Sequence, residues 1–493
     1  MSDSVRAPSF LDALVPTLIL VSLLSLSVYL FGDGSSGGAN QIALILGAAA
    51  AVVVGLKNGH SWESIEEGII QGVSVSVRAM LILLSVGALI GSWILSGTVP
   101  TMIYYGLQLL DPSIFYAACL VICAFVALSI GSSWTVAGTI GIGLIGTAAA
   151  LDLSLEITAG AIISGAYFGD KMSPLSDTTN LAPAVAGADL FSHIRNMAWT
   201  TTPSIIIALV IFIVIGFRQD VSGSADTMAS TLELLQGQFT INFLMLLPLF
   251  VVLGLAVKRF PALPTILVGA LIGVVFAVVF QPEQVYTLAG DAQLPVWLAM
   301  FKGGWIALVD GYTATTGHEG LDSLLSRGGM SSMLTTIWLI LTAMIFGGVM
   351  DQLGLLARLV KGVLDKVEST GSLVAVTIAS CIGANIITAD QYIAIVLPGR
   401  MYKLEFERRG FAPTALSRVL EDSATITSPL IPWNTCGAYM AGTLGVATFA
   451  YLPYCFFNII NPIMSIIYGY TNFKMARVDD EERESLANKA TAA

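Results

Sequence analysis

The sequence predicts an all-α polytopic membrane protein made of two inverted repeats, each with five transmembrane helices and one re-entrant hairpin, with broken helices at the midplane. The first observation is composition: of 493 residues, 55% are hydrophobic and 11% are charged, against about a quarter charged in soluble domains. The second is the mean hydropathy of +0.82, which requires many apolar stretches of the roughly 20 residues that cross a bilayer. The third is a set of polar interruptions that recur in both halves of the chain.

Other features of the composition exclude several classes of partner and cofactor. The net charge of −11 argues against nucleic acid, and it says little about a transported ion because most of it lies in loops and the tail. The five cysteines lie in apolar segments without His or Cys at metal-ligand spacing. We therefore expect no cofactor. The first apolar run lacks a clear cleavage site and predicts a retained helix rather than a signal peptide.

Continuous apolar windows predict eight simple spans. They lie near residues 11–31, 40–57, 74–96, 198–217, 241–257, 262–280, 332–350 and 446–469. Four further apolar regions are interrupted by polar or helix-breaking residues. We predict re-entrant hairpins at 113–150 and 371–397, and broken helices at 156–192 and 413–445.

The interruptions occur in the same order twice, which predicts two related halves. Gly131 and Gly383 are 252 positions apart, as are Asp170 and Asp422, and the Ser-Pro-Leu runs begin 255 apart. The first repeat then covers 1–218, a periplasmic linker 219–240, the second repeat 241–470 and a cytoplasmic tail 471–493. Five crossings per half is an odd number, so the halves must be inverted.

The distribution of basic residues supports this topology, because cytoplasmic loops carry the excess of Lys and Arg. With a cytoplasmic N-terminus, 16 of the 22 Lys and Arg residues fall on the cytoplasmic side, three fall outside and three lie within or at the ends of spans. We therefore expect a multi-pass protein of the cell inner (plasma) membrane with both termini in the cytoplasm. A homodimer is compatible with this arrangement.

The four interruptions are rich in oxygen ligands. A Ser-Pro-Leu run inside a span breaks the helical hydrogen-bond ladder and frees carbonyl groups, and irregular backbone is tolerated only where it is buried in protein or lines a wet cavity. Carbonyl, hydroxyl and carboxylate oxygens suit a small hard cation such as sodium. We expect the interruptions to converge between the halves and to supply the ion- or substrate-binding residues Asp170, Ser173, Asp177, Thr178, Thr179, Asn180, Ser132, Ser133, Asn385, Thr388, Asp390, Asp422, Ser428, Asn434 and Thr435.

Within that set, we hypothesise a Na⁺ site at Asp170, Asp177, Asn180 and Asn434. The alternative is that these Ser, Thr and Pro residues only kink packed helices. Carboxylates inside spans mark functional sites by default, and competition of Na⁺ and H⁺ for one of them would produce antiport.

The charged residues near the interruptions leave alternatives open. Asp170 could instead pair with the adjacent Lys171 or with a residue elsewhere, and Lys171 could bind a substrate carboxylate or replace a second cation. For Arg78 and Arg418 the favoured interpretation is a side chain that extends to the membrane interface. His193 is expected in a loop.

The segment "GAYFGDKMSPLSDTTNLAPAVAGADLFSHIRNMAWTT" (Gly165–Thr201) resembles the NhaC-type Na⁺/H⁺ antiporter family. The similarity extends to "GSSWTVAGTIG" before it and "LEDSATITSPLIPWNTCGAYMAGTLGV" after it. The resemblance implies inverted repeats, re-entrant hairpins and an elevator-type motion, with sodium exchanged for protons. It carries residue roles only to Asp170, Ser173, Asp177, Thr178, Thr179 and Asn180.

The expected function is therefore secondary active exchange of Na⁺ for H⁺ by alternating access. The alternative is a Na⁺-coupled carboxylate (malate or lactate) or amino-acid carrier on the same fold, because relatives in the family exchange organic acids. No phosphate-binding Gly-Lys-Ser loop is present in the sequence, which excludes the obvious ATP-driven class. A channel is disfavoured by two sets of blocked, broken helices, and an enzyme by the lack of a nucleophile and base pair or a His-rich metal motif. The expected partners are Na⁺, H⁺, the lipid bilayer and, on the alternative, a small organic acid.

Overall fold

The computed structural model of the protein describes residues 5–219, 224–314, 322, 325–364, 367 and 369–478. These residues form helices joined by short connections, and the only β-type pairings among them are two isolated bridges. Within these described ranges, nine helices are long and apolar enough to cross a membrane, or up to 11 if two bent pairs each form one span. The prediction of an all-α polytopic membrane protein is confirmed.

The part of the first half that the structure describes, residues 5–219, contains nine α-helices. They are α1 (Phe10–Phe31), α2 (Ala39–Lys57), α3 (Trp62–Leu95), α4 (Thr98–Leu109), α5 (Phe115–Ile130), α6 (Ser133–Ala150), α7 (Leu155–Met172), α8 (Asp177–Ala186) and α9 (Leu190–Phe217). The span predicted at 74–96 is the second part of α3, which begins 12 residues earlier, at Trp62.

The second half begins after α10 (Ser224–Gln238), which lies in the predicted linker. Its helices are α11 (Leu247–Val257), α12 (Ala262–Phe280), α13 (Pro282–Ala289), α14 (Val296–Val309), α15 (Leu334–Gln352), α16 (Leu355–Leu364), α17 (Thr370–Thr388), α18 (Gln391–Arg408), α19 (Pro413–Leu420), α20 (Thr435–Leu444), α21 (Thr448–Tyr451) and α22 (Phe456–Thr471). The span predicted at 446–469 is a pair of helical segments that bend by 58°.

Each polar interruption is a helix end followed by a new helix start. Helix α5 ends at Gly131, whose φ of 74° is the left-handed conformation typical of a helix C-cap. Ser132 then accepts a hydrogen bond from the Thr135 amide and begins α6. Helix α7 ends at Ser173, and Ser176 accepts from the Thr179 amide and begins α8. Local capping chemistry therefore produces the breaks that the sequence predicts.

Seven helix ends of the first half have a counterpart at one constant spacing in the second half. Asp111 and Ser369, which cap the segments leading into α5 and α17, are separated by 369 − 111 = 258 positions. The same spacing relates the cap residues Gly131 and Ala389, Ser132 and Asp390, Ser154 and Ala412, Ser176 and Asn434, Gly187 and Gly445, and Asp189 and Ala447.

The spacings of 252 to 255 positions, predicted from similar sequence segments in the two halves, are therefore wrong for the positions at which the helices end. Gly383 lies inside α17, and the break equivalent to Gly131 is at Ala389, which has a φ of 56°. The physical reason is that a helix ends where its backbone turns left-handed and its carbonyl finds a partner. The Ala389 carbonyl accepts from the Thr435 amide at 2.8 Å.

The broken helix of each half packs against the helices of the other half's interrupted region. Helix α8 contacts α18, and α20 contacts α6. Elsewhere the halves meet through glycines: a Cβ on Gly72 of α3 would lie 2.6 Å from the Met344 carbonyl oxygen and 2.8 Å from Gly348 Cα of α15. Such close backbone approach is how helices associate in a membrane. The polar breaks are thereby brought to the junction between the halves.

Two side chains occupy positions other than those predicted. Arg418 is fully buried rather than directed to the membrane interface, and it donates to Asn196 Oδ1 at 2.9 Å and to the Lys474 carbonyl at 2.8 Å. His193 lies within α9, not in a loop, and its Nδ1 is 2.8 Å from Ser417 Oγ. Both differences have the same cause, because α9 packs against α19 and encloses its polar face.

Candidate functional site

Asp170, near the C-terminal end of α7, is held by the first turn of α6. Its Oδ2 accepts hydrogen bonds from the Ser133 amide at 3.1 Å and the Ser133 hydroxyl at 2.7 Å. Asp170 is almost completely enclosed, with 9% of its surface exposed. Because the amide groups at a helix N-terminus attract negative charge, this contact stabilises a carboxylate inside the protein.

The first break, Ser173–Ser176, is closed by side chains of the helix that follows it. The Thr179 hydroxyl donates to the carbonyls of Lys171 at 3.0 Å and Asp170 at 3.3 Å. The Asn180 amino group donates to the carbonyls of Pro174 at 3.0 Å and Ser176 at 2.7 Å. The carbonyls that the break frees are thus partly paired within the protein.

The other predicted residues of this break differ in exposure. Ser173 is fully buried and its hydroxyl accepts from the Leu175 amide at 3.3 Å. Thr178 is buried with its hydroxyl 3.2 Å from that of Ser176. Asp177 is exposed at the first position of α8.

The second break is organised around two asparagines. Asn434 caps α20 by accepting from the Cys436 amide at 3.0 Å, and its amino group donates to Asn385 Oδ1 at 3.1 Å and to the Asn385 carbonyl at 3.2 Å. Asn385 of α17 donates in turn to the Ala424 carbonyl at 2.6 Å. The predicted residues Asn385 and Asn434 therefore contact each other.

The remaining predicted residues of the second half surround the same break. Asp390 caps α18 by accepting from the Tyr392 amide at 2.8 Å and the Ile393 amide at 3.0 Å. The Thr388 hydroxyl donates to its own helix, and Ser428 donates to the Thr425 carbonyl and to Gln391 Oε1. Thr435 is buried beside them.

A buried ion pair joins the two halves. Lys171 Nζ lies 2.7 Å from Asp422 Oδ1, and both side chains are fully buried. The same oxygen accepts from Thr200 of α9 and Asn461 of α22, each at 3.0 Å. Of the alternatives that the sequence left open, Lys171 pairs with Asp422 and not with the adjacent Asp170. Asp422 Oδ1 is saturated by three donors.

Tyr392 follows the cap residue Asp390 at the start of α18. Helix α18 packs against α8, whose first residue is Asp177. The helix that follows the first break and the helix that follows the Asp390 cap therefore contact each other. The proposed Na⁺ ligands are not all equivalent: Asp170 is enclosed, whereas Asn180 and Asp177 are exposed.

An aromatic contact closes the junction next to Asp170. Trp134 of α6 and Tyr439 of α20 stack with ring centroids 4.0 Å apart and an interplanar angle of 12°. The Tyr439 hydroxyl also donates to the Trp134 carbonyl at 2.8 Å. The stack fixes the first turn of α6, which holds Asp170, against the second broken helix.

Three residues of this region were not predicted from the sequence. Thr200 of α9 and Asn461 of α22 both donate to the Asp422 carboxylate. Glu421 is fully buried beside Asp422. The signal for Glu421 is present in the sequence, because it is a second carboxylate inside the predicted broken helix 413–445.

The geometry offers oxygen ligands rather than a transition-metal site. Among the described residues, no three His, Cys, Asp or Glu side chains are grouped so as to hold a metal ion. Hydroxyls, amide oxygens and enclosed carboxylates suit a monovalent hard cation, and the same carboxylates can carry a proton.

Comparisons with known proteins agree with this chemistry. Residues 165–473 match the sequence profile of the Na⁺/H⁺ antiporter family. The Na⁺/H⁺ antiporter NhaC of Alkalihalophilus pseudofirmus is 39% identical over 91% of this chain and 93% of its own length. The malate-2H⁺/Na⁺-lactate antiporter of Bacillus subtilis is 36% identical over 95% and 96%, and the arginine/ornithine antiporter ArcD of Halobacterium salinarum is 35% identical over 97% and 96%.

Proposed function

The chain belongs to the Na⁺/H⁺ antiporter family, and from that membership we infer that it is a secondary active transporter that exchanges Na⁺ for H⁺ across the membrane. The observation that carries the proposal is Asp170, an enclosed carboxylate at the junction of the two halves. An enclosed carboxylate is costly unless a cation or a proton neutralises it. Exchange of the two ions follows when binding of one displaces the other.

For the Na⁺ site we propose Asp170 together with Asp177, Asn180 and Asn434. The amino groups of both asparagines are occupied by protein carbonyls, so their amide oxygens are directed away from those contacts. An amide oxygen has two lone pairs. That of Asn434 therefore keeps one for a cation after accepting from Cys436.

We further propose that the two halves are inverted repeats whose hairpins and broken helices provide alternating access in an elevator-like motion. The constant spacing of 258 between helix ends and the mutual packing of α8 on α18 and α20 on α6 support related halves. The distribution of Lys and Arg supports a plasma-membrane protein with cytoplasmic termini. A homodimer is compatible with this arrangement.

The second candidate is Na⁺-coupled exchange of a small organic acid or an amino acid. It is favoured by the relatives whose names specify malate, lactate, arginine and ornithine. In this case the helix N-termini at the breaks would receive the substrate carboxylate.

A flux measurement separates the two candidates. Purified protein is reconstituted into liposomes that enclose a pH-sensitive dye, and Na⁺ is added first alone and then with malate, lactate or an amino acid. Proton movement on Na⁺ alone supports Na⁺/H⁺ exchange. A signal that requires the organic solute supports the second candidate, and the absence of both signals contradicts the proposal.

A further inference from the structure

Glu421 is a fully buried carboxylate that takes no part in the contacts of Asp170, Asp390 and Asp422. It follows α19 directly and begins a π-helical segment, Glu421–Thr425. None of its surface is exposed, and among the described residues neither carboxylate oxygen has a hydrogen-bond partner. Segments of π-helix are rare in proteins, and those that occur are often located at functional sites. Among the described residues this carboxylate forms no ion pair, and the hydroxyls of Thr178 and Thr425 lie near it as neutral polar groups.

The nearby cations are already engaged by another carboxylate. Lys171 is paired with Asp422 at 2.7 Å, and Arg418 Nε lies 4.0 Å from the other oxygen of Asp422. The charge of Asp170 is stabilised by Ser133. Around Glu421 the described structure thus places two buried cations and three buried carboxylates, which leaves the cluster one positive charge short.

The charged groups that act on the Glu421 carboxylate include Lys171 and Asp170 of α7, and the hydroxyls of Thr178 and Thr425 lie nearby. The helices packed against its segment are α8, α9, α17, α18, α19 and α22. Their buried titratable side chains include His193 of α9, Cys381 of α17, Tyr402 of α18 and Arg418 of α19, and Asp422 is next to Glu421 in the same segment. His193 is bound to Ser417, and Cys381 is a buried thiol.

We propose that Glu421, rather than one of the four aspartates, carries the proton that is exchanged for Na⁺. The proposal rests on the Na⁺/H⁺ exchange inferred above. Without Na⁺, a protonated Glu421 leaves Lys171 and Arg418 balanced by Asp170 and Asp422. When Na⁺ binds at Asp170, the added charge is balanced by loss of the Glu421 proton. The buried cluster is neutral in both states, which avoids the cost of an unpaired buried charge.

Proton release upon Na⁺ binding tests this assignment directly. Purified protein in a weakly buffered detergent solution receives NaCl, a pH-sensitive dye records released protons, and ²²Na⁺ binding is measured in parallel. The wild-type protein is expected to release protons, and its Na⁺ affinity is expected to weaken about tenfold per pH unit in the acidic range because one proton competes with one cation.

The Glu421→Gln variant should bind Na⁺ without releasing protons, and its Na⁺ affinity should no longer depend on pH. The matched control is Glu67→Gln, an exposed residue of α3 whose side chain accepts from Gln71. It should behave as the wild-type protein. Proton release by Glu421→Gln equal to that of the wild-type protein would overturn the assignment.

Three further variants test the assignment if Glu421→Gln fails to fold. Glu421→Asp keeps a carboxylate and should keep proton release. Thr178→Val and Thr425→Val remove neighbouring hydroxyls and should shift the pH midpoint of Na⁺ binding upward, because the ionised form loses polar neighbours. An unchanged pH midpoint of Na⁺ binding in both Thr178→Val and Thr425→Val would overturn the assignment. Na⁺ binding without proton release in the wild-type protein and Glu67→Gln would contradict the proposed exchange itself.

Discussion

Lys171 and Asp422 form an ion pair 251 residues apart in sequence, with Nζ and Oδ1 separated by 2.7 Å and both side chains fully buried. The pair connects the end of α7 in the first half to the π-helical segment after α19 in the second. Because Thr200 and Asn461 donate to the same oxygen, four helical segments meet at one carboxylate. This contact fixes Lys171, the neighbour of Asp170, against Asp422, the neighbour of Glu421.

Removing one member of this pair should destabilise the protein strongly. Lys171→Met leaves Asp422 buried without its cation, and breaking a buried pair costs about 3–5 kcal/mol. The double variant Lys171→Met with Asp422→Asn should recover most of that loss. The measurement is denaturant unfolding in lipid–detergent micelles.

The matched control is Lys302→Met, which removes the partly exposed ion pair of Lys302 with Asp291. Its cost should be within about 1 kcal/mol, as is typical of surface pairs. Equal losses for Lys171→Met and Lys302→Met would contradict a structural role of the buried pair.

Neutralising Asp170 should abolish exchange while the protein still folds. In Asp170→Asn the cation loses its enclosed carboxylate. The half-saturating Na⁺ concentration should rise about a hundredfold or more, since a buried charge interaction is worth about 3 kcal/mol or more and each 1.4 kcal/mol is tenfold. Ser133→Ala removes one of two donors to that carboxylate and should change Na⁺ affinity by about tenfold.

These variants are measured by Na⁺-dependent proton flux in liposomes, with thermal unfolding as the check of folding. Asp111→Asn is the control, because Asp111 is a capping aspartate at the start of the α5 segment whose partner is Ser113. Wild-type flux in Asp170→Asn would remove Asp170 from the Na⁺ site.

Local chemistry explains which parts of this architecture could be predicted from the sequence. Ser-Pro-Leu runs and capping residues act within a few positions, so the breaks at Ser173–Ser176 and after Ser428 could be predicted. Apolar windows act over about 20 residues and predicted the spans. Both signals are short-range.

Contacts between distant segments could not be predicted in the same way. Arg418 and Glu421 lie one turn apart, yet Arg418 bonds with Asn196 and the Lys474 carbonyl, whereas Glu421 has no bonded partner among the described residues. Which carboxylate stays uncompensated depends on which helix packs over it. The partner of Lys171 is likewise decided by packing between the halves.

The corrected spacing of 258 predicts opposite effects on stability when Gly131 and Gly383 are replaced by alanine, although these two glycines occupy equivalent positions at a spacing of 252. Gly131→Ala places a Cβ 2.6 Å from Leu175 Cβ in a left-handed backbone with φ of 74°. It should cost about 2 kcal/mol or more. Gly383→Ala lies inside α17 with nothing within 4 Å of the new Cβ and should stabilise by about 0.5–1 kcal/mol.

A third variant, at the left-handed residue that ends α17, completes this test. Ala389→Gly relieves a left-handed alanine and should be neutral or stabilising by up to about 1 kcal/mol. All three are compared by thermal unfolding in one detergent. Similar losses of stability in Gly131→Ala and Gly383→Ala would contradict the spacing of 258 and support the spacing of 252.

The orientation of the chain can be tested at a cavity of about 310 Å³ lined by residues 34–37, Thr335, Thr336 and Pro432 of the second break. With a cytoplasmic N-terminus, α1 crosses outward and the loop 32–38 that borders this cavity faces the outside. Thr336→Cys should therefore react with a charged, membrane-impermeant thiol reagent in right-side-out vesicles. The five native cysteines are buried and provide a low background.

Thr342→Cys, on the same helix but 2% exposed, is the control and should remain unlabelled. The comparison is made by mass shift or loss of fluorescent counter-labelling in right-side-out and inverted vesicles. Because a charged reagent enters only from the side on which it is added, labelling confined to inverted vesicles would place the cavity and the N-terminus on the opposite sides from those proposed. Equal labelling of Thr336→Cys and Thr342→Cys would show that reactivity reports general unfolding rather than the cavity.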